Sequence, residues 1–412
     1  MKRFSKFLAV VLALAMTFGL TTSAFAADPI ELEDDVLAKP RTENSVAKVG
    51  DDYFDTLAEA VEAAAEGDTV VIIKDMDLDA SVAVAKKLTI TTDGLADYTI
   101  TGSTFTSDWL LNIKTQCTVG GASETSRLII DGQNLSHSKG TFVVQNKAAA
   151  GSTVRYLTVK NTVNANGSYG GGAYSNTTVT YEHCEFINNS STNADKGNGG
   201  GFYSTKDGVL TFTDCLFEGN TSARHGGAFY GATNAKATFT NCTFKDNTCA
   251  ASRMGGATYV NGGESAFSFE NCQFTNNVIS GSADTANTLY SAGEAYLTLK
   301  DCTFTDQTKA AAIKGAYTDG GGNSFLKVQI DAPTLKAASA QETGSAFAWT
   351  DIFNGFDADK MTAAITAPAE TAEVKEPGTY TITVTAGDDY KFADEAVTTF
   401  TFEVTAAVAY VA

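Results

Sequence analysis

Apolar and polar positions alternate with period two in short runs along most of the chain, the spacing of strands buried on one face. Leu88–Thr91, Tyr98–Thr101, Leu110–Ile113, Leu128–Ile130, Thr141–Val144 and Val154–Val159 are the first such runs, with turns between them. Val209–Phe212, Ala237–Thr240 and Ala266–Phe269 continue the alternation, and Phe325–Ile330, Met361–Thr366, Thr379–Ala386 and Thr399–Thr405 follow. One segment departs from it. Val46–Val49 and Tyr53-Phe54 flank a Gly50-Asp51-Asp52 turn, and then Thr56-Leu57-Ala58-Glu59 has the form of a helix capping box. Leu57, Ala60, Val61 and Ala64 share one helical face, Gly67 ends it, and the β-prone run Asp68–Ile73 comes next. The pattern predicts an all-β chain with one short amphipathic helix near its start.

Within residues 170–307 a unit of about thirty residues recurs five times. Each opens on a Gly-rich pentad and closes on Cys-x-Phe-x-x-Asn. Gly170-Gly171-Gly172-Ala173-Tyr174 leads to Cys184, Phe186 and Asn189, and Gly199-Gly200-Gly201-Phe202-Tyr203 to Cys215, Phe217 and Asn220. Gly226-Gly227-Ala228-Phe229-Tyr230 precedes Cys242, Phe244 and Asn247, and Gly255-Gly256-Ala257-Thr258-Tyr259 precedes Cys272, Phe274 and Asn277. The last unit keeps Tyr290, Cys302 and Phe304 but has Gln307 in place of the Asn. No unit holds a helical run long enough for a βαβ crossover. Short strands turning by Gly and Asn, with identical residues in register, fit a parallel β-solenoid whose coils stack about 4.8 Å apart. Asn then forms an internal amide ladder at a turn, and Cys and Phe form two columns of core.

The Gly-Gly-[Ala/Gly]-x-Tyr…Phe-x-x-Asn alternation resembles the repeats of polymorphic outer-membrane-protein adhesins. More broadly it is similar to right-handed parallel β-helix proteins of the pectate-lyase type. The repeats cover about a third of the chain, and a looser resemblance extends over residues 46–325. The resemblance implies a right-handed parallel β-helix used as a surface module, as an adhesin or a carbohydrate-active enzyme. It also implies that the 56–67 helix is the N-terminal cap that covers an otherwise open sheet edge. Ile129-Ile130-Asp131-Gly132-Gln133-Asn134 resembles a turn of such enzymes that is structural, so no catalytic role passes to Asp131. The resemblance departs from the adhesins in that no long C-terminal alternating pattern for a membrane barrel follows.

Charge and cysteine content narrow the compartment and the partners. Residues 1–26 read as a secretory signal, with Lys2, Arg3 and Lys6, an apolar stretch Phe7–Leu20 and the Ala24-Phe25-Ala26 cleavage site. No other stretch is long and apolar enough to span a bilayer. Residues 27–45 are acidic and lack periodicity, and read as a disordered leader. The chain has 29 Lys and Arg against 48 Asp and Glu, a formal charge of −19 that loses three further cations with the signal. Nucleic acid and anionic lipid are therefore excluded as expected partners. Of seven cysteines, five (Cys184, Cys215, Cys242, Cys272, Cys302) share one repeat position; a reduced buried ladder is preferred to bridges. Cys117 and Cys249 lie outside it. No C-x-x-C occurs and His183-Cys184 has no partners at ligand spacing, so no metal or other cofactor is expected.

The domain reading is signal 1–26, leader 27–45, capped β-helix 46–324 and a small immunoglobulin-like β domain 325–412, with Gly320-Gly321-Gly322-Asn323 as the boundary and Ala332–Asp359 unplaced. In the last domain Tyr380, Ile382 and Val384 share one face, as do Phe400, Phe402 and Val404. For chemistry, the acids of the repeats (Glu182, Glu185, Asp214, Glu218, Asp246, Glu270, Asp301) sit mostly beside the Cys column and read as solvated. Arg224-His225, just before a Gly turn, is the best single candidate for a lyase-type site, against the plainer description of an outward loop cation. The tyrosine column Tyr174, Tyr203, Tyr230, Tyr259 and Tyr290 is an aromatic stripe for a glycan or protein if it faces outward, and core if inward. The small residues two positions earlier (Gly172, Gly201, Ala228, Ala257) favour core. Loops such as Ser190–Asn198 and Ala250–Arg253 vary between units, and variable loops on a rigid scaffold are where binding resides. The expected function is recognition or adhesion by a secreted or surface-associated protein, with a polysaccharide or cell-surface protein ligand; the alternative is a β-helix polysaccharide lyase or glycoside hydrolase.

Overall fold

The computed structural model describes residues 38–105, 108–167, 169–206, 208–281, 288–293 and 296–407. The signal reading falls outside the described residues, as does the leader reading up to 37. Residues 38–45 are described, and they contact the hairpin that follows. Tyr53 N donates to Lys39 O at 3.1 Å, Thr42 Oγ1 donates to Asp55 at 2.8 Å, and the Lys39 ammonium lies 4.5 Å from the centre of the Phe54 ring. The hairpin of Ala47–Val49 with Asp52–Phe54 thus holds the segment that precedes it.

The helix Leu57–Ala63 starts where Thr56 Oγ1 accepts from Glu59 N at 3.1 Å. It buries Leu57, Ala60 and Val61 in the same cluster as the first coils. It covers the apolar surface beside Ala47 and Val70 that the first strands would otherwise expose.

One coil shows the plan of the solenoid. Ala173–Ser175, Thr178–Glu182, Glu185–Ile187 and Ser190–Ser191 follow one another around the axis. Each pairs in parallel with its counterpart one coil on, with Tyr174 opposite Tyr203, Thr180 opposite Thr211, Phe186 opposite Phe217 and Ser191 opposite Ser222. Among the described residues the result is four sheets of twelve, nine, six and nine strands, the first including the antiparallel hairpin. Ser190–Ser191 is accordingly a strand, and the variable loop begins after it.

Corners explain the residue types that recur. The residue before each repeat Cys is left-handed: His183, Asp214, Asn241, Asn271 and Asp301 have φ of 51° to 55°. The residue before each Asn is left-handed too, at Asn188, Gly219, Asp246 and Asn276, with φ of 50° to 65°. Asn, Asp and Gly adopt this region at the least cost, which is why they hold most of these places. The run Val154–Val159, expected as one strand, is two: Ser152–Arg155 and Leu157–Lys160 meet at Tyr156, whose φ is 49°. The alternation survives the corner because both sides keep an apolar residue inside.

The core is a set of stacks. Phe186, Phe217, Phe244, Phe274, Phe304 and Phe325 lie ring on ring, with centroids 4.6 to 5.1 Å apart. Tyr181, Phe212, Phe239 and Phe269 form a second stack at 4.7 to 4.9 Å. Burying each ring contributes about 1.5–3 kcal/mol before the cost of ordering the chain. All seven cysteines are buried and free. The five repeat cysteines occupy corners between strands, and each thiol donates back to main-chain carbonyls, as Cys242 does to Phe212 O at 3.6 Å and Thr240 O at 3.4 Å. Burial pushes the Cys215 thiol well above its usual range, so it stays a neutral packed group.

Beyond Leu326, whose N–H donates to Gln307 O at 2.9 Å, the chain leaves the coils. Ser339–Gln341, Thr399–Thr405, Gly378–Ala386 and Met361–Ala367 lie side by side in that order, the first pair parallel and the others antiparallel. Tyr380 pairs with Phe402 and Ile382 with Phe400, so both apolar triplets share one face. They form a hydrophobic cluster separate from that of the solenoid, joined by Ile352, Phe353, Met361 and Val374. The 332–359 stretch supplies Thr334–Leu335, antiparallel to Phe353–Asn354, and the short helix Trp349–Ile352.

Candidate functional site

The side on which the tyrosines lie follows from the strand period. In Phe202–Ser204 the first and third residues are buried and Tyr203 is half-buried. Ala173, Phe202, Phe229 and Leu289 belong to the solenoid core, whereas Tyr174 belongs to a separate cluster with Trp109 and Val143, against which Tyr203 packs. The column therefore lies on the outer face, contrary to the expectation of core. The small residues two positions earlier misled because they do not share its face. Ala228 and Ala257 point into the core, and a Cβ on Gly172 would meet the Asn189 side chain at 2.7 Å. The strand begins one residue later, so the period cannot be counted from the pentad.

Trp109, Tyr174, Tyr203, Tyr230, Tyr259 and Tyr290 stack continuously, with centroids 5.0 to 6.0 Å apart and planes within 9° to 28°. Each inner ring therefore gives both faces to its neighbours. What the column presents outward is a row of ring edges and hydroxyls, not the open aromatic faces that a stripe suggests. Burial raises the hydroxyls of Tyr174, Tyr203, Tyr230 and Tyr259 above their usual range, so they remain protonated donors. Tyr169, 38% exposed, meets Tyr174 and Trp109 edge to face at 5.2 and 5.7 Å.

Tyr174, Tyr203 and Tyr230 floor a groove of about 540 Å³ whose wall carries Asn176, Thr205, Lys206, Asn234 and Asn261. Asn261 Nδ2 donates to the Tyr230 hydroxyl at 3.3 Å. Sequence reasoning passed over this wall. Its signal is the polar residue two positions after Tyr, at Asn176, Thr205 and Asn261, which becomes legible once Tyr is known to face out.

The Asn side chains run in a column inside the coils. Asn189, Asn220, Asn247 and Asn277 are fully buried. Asn220 Nδ2 donates to Asn247 Oδ1 at 3.0 Å and to Phe186 O at 2.8 Å, and Asn247 Oδ1 also accepts from Asn220 N at 3.0 Å. Gln307 closes the ladder by donating to Asn277 O at 2.9 Å. These side chains hold main chain to main chain and reach no solvent.

Arg224 and His225 are not outward loop cations. Both are half-buried, the His225 ring lies 4.4 Å from that of Tyr259, and its Nδ1 accepts from Met254 N at 3.2 Å. Burial, then Arg224 and Arg253, lowers His225 to about 4. Among the described residues neither Arg224 nor His225 forms an ion pair with a carboxylate. Asp131 is structural: it accepts from Gln133 N at 2.8 Å and Asn161 Nδ2 at 3.1 Å and pairs with Lys160 at 3.5 Å. The repeat acids face outward, where Glu218 meets Lys245 and Glu270 meets Lys300 at 2.6 Å.

One polar cluster was not foreseen. At the His183 corner the imidazole stacks on Tyr156 at 4.9 Å, with Glu124 3.8 Å from Nδ1 and Asp214 3.9 Å from Nε2. Arg127 beside it donates to Thr158 Oγ1 at 2.9 Å and His183 O at 2.6 Å. The two carboxylates lie at different nitrogens of the ring and do not converge on a common point. Among the described residues no group of three or more His, Cys, Asp or Glu side chains is placed to hold a metal ion. No helix there is long and apolar enough to cross a membrane.

A model of the Chlamydia polymorphic membrane protein repeat matches residues 214–232, which span Cys215, Phe217, Asn220 and the pentad ending at Tyr230. No curated protein matches the chain. Among solved structures, ORF18 of Geobacillus virus E2 is 12% identical with a TM-score of 0.37, over 85% of this chain and 74% of that one. The enzymatically active domain of tailspike protein 4 from bacteriophage CBA120 is 12% identical with a TM-score of 0.34, over 77% of this chain and 50% of that one.

Proposed function

We propose that this is a surface recognition protein that holds a glycan in the groove along its tyrosine column, without cleaving it. The observation that carries the reading is the chemistry of that groove. Phenol hydroxyls, three carboxamides and Thr205 line it, groups that both donate to and accept from sugar hydroxyls. Among the described lining residues the charged one is Lys206, and none is a carboxylate of the kind that glycoside hydrolysis uses in pairs. The rigid stack beneath means that little side-chain ordering is required on binding. The match to a polymorphic membrane protein repeat supports a surface location and an adhesin-like role.

A polysaccharide panel scored both for retention and for new reducing ends or unsaturated uronides tests the reading. Retention without product is expected, reduced about tenfold or more in Asn234→Ala/Asn261→Ala with melting unchanged. Catalytic product formation would make the protein an enzyme. Retention that ignores the double substitution would move binding off the groove.

A further inference from the structure

At the other end of the strand Phe229–Gly231 from the amide wall, the loops around Arg224 and Arg253 stack one coil apart, with Gly226 N donating to Met254 O at 3.1 Å. Arg224 is anchored rather than free: its Nη1 donates to Asp195 O at 2.7 Å. Its Nε is buried and has no protein partner. A buried guanidinium N–H left without a partner is destabilising unless a ligand takes the bond. The His225 ring packs 4.4 Å from that of Tyr259, and Arg224 and Arg253 both lie close enough to act on its charge. Because its Nδ1 accepts from Met254 N, the ring proton sits on Nε2, which is a donor. Burial and the two guanidiniums keep the ring uncharged at neutral pH, so it does not add to the repulsion within the cluster.

We propose that Arg224, Arg253 and the Nε2–H of His225 form a binding site for an oxyanion, in the form of a sulfate, a phosphate or a carboxylate. All three groups supply donors. Arg presents a planar fork that matches such groups, and partial burial strengthens each charge-assisted bond. The chain as a whole carries −19, a field that repels anions at long range, so binding depends on this local arrangement. The site does not depend on the glycan reading, since it uses none of the groove-lining residues.

Histidine ring signals of the full chain, labelled with ¹⁵N, report on the site. The sequence has three histidines, and His225→Gln identifies the relevant signals. Sodium sulfate, sodium phosphate and sodium glucuronate are titrated separately against sodium chloride at matched ionic strength. A saturable shift of the His225 signals is expected with at least one of them, and the anion preferred names the source. The apparent pKa of His225 should rise from about 4 as the bound charge offsets the arginines. Arg224→Gln and Arg253→Gln should each weaken the response about tenfold or more. Arg253→Gln leaves the Asp195 anchor intact and keeps the test open if Arg224→Gln does not fold. Shifts that follow ionic strength alone, or a saturable response equal in both variants and wild type, would overturn the site.

Discussion

The coils of residues 69–169 and those of 170–307 share one geometry and differ in how it is filled. Leu157 occupies the inward place that Cys184 takes one coil later, and Leu128 holds it a coil earlier still, since Thr158 pairs with Glu185 and Ile129 with Thr158. Thr162 stands where the Asn column would continue, fully buried, its hydroxyl 2.9 Å from that of Thr141. On the outer face, Asn112 and Val143 precede Tyr174 in register. The fold therefore asks of an inward place only that it be apolar or hydrogen-bonded. Identity across coils adds something else: ladders in which each side chain completes the next. The regular half carries the tyrosine-floored groove, because there the outward position repeats an aromatic.

The largest effect should come from the pentads. A Cβ on Gly200 would lie 2.3 Å from both Gly227 O and Thr221 O, so Gly200→Ala forces neighbouring coils apart and should cost roughly 3 kcal/mol or more. In the irregular half Gly94 has φ of 84° with only Ala122 Cβ near, at 4.0 Å, so Gly94→Ala should cost about 1 kcal/mol from backbone strain. Urea unfolding of the pair measures the difference, and equal midpoints would mean that the coils are not pressed together as described.

The amide ladder comes next. Asn247→Ala strips partners from Asn220 Nδ2, Asn220 N and Phe217 O, and should cost about 2–3 kcal/mol. Thr162→Ala loses one hydroxyl contact and should cost about 1 kcal/mol. If both cost the same, cross-coil completion adds nothing to the regular half.

The smallest effect is acid sensitivity at His225. Its pKa is lowered by folding, so between about 6.5 and 4 the unfolded chain binds the proton that the folded chain refuses. Stability from this group is therefore complete above 6.5 and is lost as pH falls towards 4. Solvent screening of a half-buried ring holds the loss to the order of 1 kcal/mol. His225→Gln should flatten that part of the stability–pH curve, and an unchanged slope would place the titration elsewhere.

The sequence made the solenoid legible because Cys, Phe and Asn recur at positions whose burial does not depend on context. The same residues gave the ladders. Val154–Val159 hid its corner because Tyr156 adopts a left-handed conformation with no Gly or Asn to announce it. The tyrosine face was missed for a related reason: period-two counting holds within a strand and fails across the Gly turn before it. The groove wall and the His183 corner join residues about one coil apart, and their proximity follows from register rather than from any local motif.

The proposed division of labour is between inner ladders that hold the coils and an outer column that recognises a ligand. Affinity for the polysaccharide that the panel retains best, measured by calorimetry alongside melting for Asn247→Ala and for Asn234→Ala/Asn261→Ala, tests it most directly. Asn247→Ala should melt lower and bind with unchanged affinity while folded, and the groove pair should melt as wild type and bind about tenfold more weakly or worse. Groove substitutions that leave affinity intact, or a loss of affinity in folded Asn247→Ala equal to that of the groove pair, would contradict the division.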